Sequence, residues 1–193
     1  MSEPEAGAPS AAERRAARRA NQTTFNLVLA LAASLAIVLV LVAVVVRPEQ
    51  TRPLVDYREA GVGARSFDEH FVVPDLPEEW TANRAQLFAD PADGVPRWEV
   101  GFLTPDGDFI QLVEGIDANQ SWLADTTVDA ESDDDVRIGG LAWDVYDRRD
   151  VDDPGNHAYI LVTASEPLTL VLHGTASDEE FEILAAALAK ELS

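Results

Sequence analysis

Apolar residues fill 25–46, FNLVLALAASLAIVLVLVAVVV, without a charge and with one amide, Asn26, at the edge. These 22 residues would extend roughly 33 Å as a helix, enough to cross a hydrocarbon core of about 30 Å. No polar face interrupts the run, so a buried core helix is a poor fit. A cleaved secretory signal fits poorly too, because its apolar region is about 7 to 15 residues and ends in small residues. Here the run closes on Val44, Val45 and Val46, followed by Arg47 and Pro48. One transmembrane helix is predicted.

Beyond the run the pattern loses its period over 47–66, where Pro, Gly and charge mix as in a linker or stalk. Strand-like patterning follows. A short apolar stretch at 70–73 precedes the breaks at Pro74 and Pro77, and 81–88 reads as a second strand. The clearest unit is 97–103, where Trp98, Val100 and Phe102 alternate onto one face. Its partner, 109–114, returns after Thr104-Pro105-Asp106-Gly107-Asp108, a sequence with hairpin-turn chemistry. Residues 117–123 suit a short helix capped by Asp117 or Asn119, with Trp122 and Leu123 facing inward.

After the acidic run at 131–135, strand material at 136–138 and 141–146 flanks Gly139-Gly140, with Leu141, Trp143 and Val145 facing together. Strands at 158–163 and 168–173 are joined by Ala164-Ser165-Glu166-Pro167; the second is nearly continuous in apolar residues, as a doubly covered strand would be. The chain closes on a helix. Ser177 and Glu180 form a capping box, and Phe181, Leu184, Leu188 and Leu192 make a stripe that needs a sheet to cover. The fold class is α+β: a largely antiparallel sheet of about six strands with a C-terminal helix packed on it, preceded by one transmembrane helix. The expected organisation is a cytoplasmic tail at 1–24, the transmembrane helix at 25–46, a linker or stalk at 47–66 and an extracytoplasmic α+β domain at 67–193.

Charge fixes the orientation. Arg14, Arg15, Arg18 and Arg19 precede the apolar run, which places the amino terminus inside by the positive-inside rule. The whole chain carries a net charge of −21, so nucleic acid is excluded as a partner for most of its surface. There is no cysteine, which removes disulfides, thiolate metal sites, cysteine nucleophiles and a lipidated cysteine. Basic residues are Arg apart from Lys190, a bias that suits a GC-rich bacterial genome.

LPEEW at 76–80, WEVGFLTPDGDFIQL at 98–112 and the ending TLVLHGTASDEEFEILAAAL together resemble the actinobacterial single-pass membrane proteins grouped as domain-of-unknown-function family 4245. The resemblance covers most of 25–190. It implies a short tail, one span, an outer domain and a cell-envelope location, and it brings no functional residues.

Candidate chemistry is sparse. His70, His157 and His173 lie at predicted strand ends, with no nucleophile motif to serve, and read as structural or surface histidines. Glu99, Asp144 and Asp147 are candidates for a glycosidase carboxylate pair, which needs a separation of about 5 to 9.5 Å. The segment at 150–156, DVDDPGN, superficially resembles a calcium loop, yet Pro154 occupies its fifth position and the distal Glu is missing. Asn119-Gln120-Ser121 is a chance match to a glycosylation acceptor. Trp80, Trp98, Trp122 and Trp143 read as core. No catalytic, cofactor-binding or metal-binding residue is therefore assigned, and no cofactor is expected. The function expected is a membrane-anchored, non-enzymatic module that binds a protein or ligand of the envelope. A cell-wall hydrolase, or an accessory subunit of a transmembrane signalling complex, is the alternative.

Overall fold

The structure is a computed structural model that describes residues 28–36 and 54–192. The chain divides into two compact units, 1–51 and 52–193. In the first, residues 28–36 are helical with exposed side chains. The predicted tail and the rest of the predicted span lie outside the described residues. Among the described residues, no helix is long and apolar enough to cross a membrane.

The second unit is built on one antiparallel sheet. Its strands are β1 (Thr81–Phe88), β2 (Arg97–Leu103), β3 (Phe109–Ile116), β4 (Asp134–Ile138), β5 (Leu141–Asp147), β6 (Tyr159–Ser165) and β7 (Leu168–Gly174). They are ordered β1-β2-β3-β7-β6-β5-β4, which makes seven strands where about six were expected. Two of the hairpins have the turns their residues dictate. At β2–β3, Gly107 N–H donates to Thr104 O (3.0 Å) and Asp108 N–H to Thr104 Oγ1 (3.0 Å). Gly139 and Gly140, both at positive φ, close β4–β5 as a two-residue hairpin demands.

The central position of β7 explains its nearly continuous apolar character, since both of its faces are covered. On the first face, Trp98, Val100, Phe102, Ile110, Leu112, Trp143, Leu170 and Leu172 form the main core. The C-terminal helix (Asp178–Glu191) buries Phe181, Leu184 and Leu188 in it. Its predicted capping box is present: Glu180 N–H donates to Ser177 Oγ, and Ser177 N–H to the Glu180 carboxylate. Leu192, the last residue of the expected stripe, packs at the core's margin.

Two expectations about the front of the domain are corrected. The second half of the predicted linker is helix α1 (Tyr57–Phe67), capped by Asp56, whose carboxylate accepts from Arg58 and Glu59 N–H. Tyr57, Gly61 and Ala64 are buried. Tyr57 packs edge-on against Phe102, with ring centroids 5.0 Å apart. The domain thus begins near residue 54, where Val55 N–H donates to Ala82 O, rather than at 67. The stretch at 70–73, read as a strand, is none: His70 lies in a turn and 71–73 are irregular, with Phe71 and Val72 buried and Val72 N–H donating to the Glu114 side chain instead of a neighbouring strand.

The short helix α2 (Gln120–Thr126) lies over the second face, three residues later than the predicted start. Asn119 caps it by accepting from Trp122 N–H (2.9 Å). With the C-terminal helix as α3, the domain is an α+β sheet with helices on both faces.

Candidate functional site

Strand alternation places a second set of side chains opposite the main core. Val113, Ile160, Val162 and Val171 form a smaller apolar cluster with Tyr146 and Trp122. Trp122 lies so close to the sheet that a Cβ on Gly115 would sit 2.8 Å from its ring, so this position requires glycine. Beside the cluster the same face turns polar, and an open groove of about 380 Å³ forms there. Its lining includes Glu99 of β2, Gln111 and Val113 of β3, Trp122 and Asp125 of α2, and the histidines His157 and His173.

The groove's charges are organised around Arg97. Its Nε donates to Glu99 Oε1 (2.9 Å) and its Nη1 to Asp93 Oδ2 (2.9 Å), while the guanidinium lies 4.6 Å from the Phe88 ring centroid. Glu99 also receives Gln111 Nε2 (3.2 Å) and an ion pair from Arg84 (3.4 Å). The carboxylate is therefore fully engaged, which suits holding shape rather than moving protons.

The two histidines stack with ring centroids 4.1 Å apart and planes 8° from parallel. The His173 Nδ1 is 3.0 Å from Asn156 O. A carbonyl can only accept, so Nδ1 carries the hydrogen and Nε2 is left with its lone pair. Burial, joined by the neighbouring His157 and opposed by the Asn156 bond, pushes the His173 pKa down to about 4. Burial lowers His157 as well, with Arg148 adding to it. Both rings are thus neutral at pH 7.

The remaining sequence candidates are scattered. Glu99 and Asp144 project from the same face, but β3, β7 and β6 stand between their strands. Four strand spacings separate them by about 19 Å, too far for a glycosidase pair. Asp147 is held by Arg149, which also binds Asp178 (2.8 Å); the hydrogen bond from Arg149 keeps the Asp147 carboxyl below the usual range. His70 lies elsewhere, against Asp68 (2.8 Å). Among the described residues, no group of three or more His, Asp or Glu side chains is placed to hold a metal ion. Trp80, Trp98 and Trp143 are core, as read from the sequence, and Trp122 is both core and groove wall.

Sequence reasoning picked out Glu99 but paired it with the wrong partner, and it missed Gln111 and Asp125. The period-2 pattern carries the available signal: Arg97, Glu99 and Gln111 alternate with core residues and therefore share a face. No curated protein matches the chain. The model of a family described as "Protein of unknown function (DUF4245)" matches residues 19–188, and the chain belongs to that family.

Proposed function

We propose that this protein is a membrane-anchored binding module of an actinobacterial cell envelope. In this reading residues 25–46 span the bilayer, the amino terminus is cytoplasmic, and the acidic domain outside engages an envelope protein or ligand without catalysing a reaction. The observation that carries the binding role is the groove on the second sheet face. Rigid strands hold its polar groups, and Trp122 supplies an apolar wall, the combination that recognition sites use. The apolar run and the four arginines before it support the anchor and its orientation.

Because the folded domain begins near residue 54, the tether after the proposed span is 47–53, about 25 Å when fully extended. Photo-crosslinking from Thr126, at the groove, is expected to capture one discrete species in native membranes, whereas Glu182 on the outer side of α3 captures none. Equal patterns from both positions would contradict a binding role for the groove. Protease added to intact spheroplasts is expected to digest the domain, and its protection would contradict the orientation.

A further inference from the structure

The groove's hydrogen-bonding inventory is unequal. Arg97 is held between Asp93 and Glu99 over Phe88, the Gln111 amide donates to Glu99, His173 Nδ1 faces Asn156 O, and Thr126 Oγ1 donates to Trp122 O (2.8 Å). Among the described residues, the N–H groups left over are the Trp122 indole, the outer hydrogens of Arg97 and Gln111, and one ring N–H of His157, whose other nitrogen is a further acceptor. On the acceptor side, the Asp125 carboxylate has no partner among the described residues, Gln111 Oε1 is unused, and His173 Nε2 offers a lone pair. His173 is only 9% exposed and lines the groove, so its free ring nitrogen is a largely desolvated acceptor.

Charge decides between the ligands such a site might take. Asp93, Glu99 and Asp125 line the groove against Arg97 and the Arg84 that pairs with Glu99, which leaves the Asp125 charge uncompensated, and the chain as a whole is at −21. An anion would meet repulsion and few free donors. A neutral polyol would gain acceptors but no Coulombic attraction, whereas a cation bearing several N–H donors satisfies both conditions. Resting on the binding-module reading, we propose that the groove takes an organic cation, the ammonium or guanidinium group of a basic side chain or a small amine, bound by Asp125, Gln111 Oε1 and His173 Nε2.

The test uses the full chain in non-ionic micelles with isotopically labelled histidine, and follows the imidazole signals of His173 and His157, with His70 as the remote control. N-acetyl-arginine amide or putrescine is expected to shift His173 saturably without moving His70, with the affinity falling as ionic strength rises. Tighter binding of N-acetyl-arginine amide points to a partner's side chain, and tighter binding of putrescine to a free amine. Asp125→Asn changes an exposed residue and is expected to weaken binding about fivefold or more. Failure of both cations to shift His173, or unchanged affinity in Asp125→Asn, would overturn the proposal. A saturable His173 shift with N-acetylglucosamine and none with the cations would also overturn it, while leaving the groove as a recognition site.

Discussion

Glu114 lies in the main core, directly across from Trp98 on β2 and Leu170 on β7. One carboxyl oxygen accepts from Val72 N–H (2.9 Å), while the other, and Trp98 Nε1, have no partner among the described residues. Burial pushes its pKa well above the ordinary 4.5, against smaller opposing effects of the Val72 bond and Arg65. The sign follows from linkage. Below about pH 4 the carboxyl is protonated in both folded and unfolded chains; as pH rises the unfolded chain ionises first, and stability falls until the folded pKa is passed. Glu114→Gln is expected to raise stability at neutral pH and flatten that decline in denaturant titrations at stepped pH. His173 acts in the opposite direction. Its depressed pKa contributes stability above about pH 6.5 that is lost as pH falls toward 4, on the order of 3 kcal/mol in full. His173→Asn, which can keep a donor toward Asn156, is expected to reduce the acid-side loss in the same titrations, the part due to His157 remaining. Period-2 alternation puts Glu114 among apolar positions and so makes its burial legible in the sequence. The environment of His173 is not, because its partner Asn156 comes from a loop 17 residues earlier.

Among the elements, α2 is the most dependent on single contacts. It is two turns long, capped by Asn119 and seated by Trp122 against Gly115. Asn119→Ala is expected to cost about 1 kcal/mol and to raise hydrogen exchange across 120–126 more than across the strands. Gly139 has a positive φ, and a Cβ there would run into Ala189 of α3. Gly139→Ala is therefore expected to destabilise by about 2 to 4 kcal/mol in equilibrium unfolding. The hairpins, the central strand and α3 were legible because turn residues, continuous apolar character and a capping box mark them locally. Helix α1 was passed over although Tyr57, Ala60, Gly61 and Ala64 recur at the helical i, i+3, i+4, i+7 spacing: three of the four are small, and Gly61 and Gly63 read as linker residues. Strand β4 was only partly legible. It lies at the sheet edge with Asp134, Asp135, Val136 and Arg137 exposed, held by backbone pairing that needs no alternation and protected from further pairing by its charges.

At the scale of the whole molecule, the domain boundary and the groove are the features that length and composition could not supply. Chains starting at residue 54 are expected to unfold cooperatively, whereas chains starting at 68 lose Tyr57 and Ala64 from the core and are expected to unfold at much lower temperature. The acid excess was plain from composition, but which acids meet at the groove, Asp93, Glu99 and Asp125, depends on which strands are neighbours and on where α2 lies. Carboxyl footprinting of the full chain, compared between native membranes and purified micelles, tests the binding role most directly. The expected result is labelling of Asp125 and Asp93 at least about threefold lower in native membranes, with Asp152 and Glu182 unchanged. Equal labelling of Asp125 in both settings would contradict it.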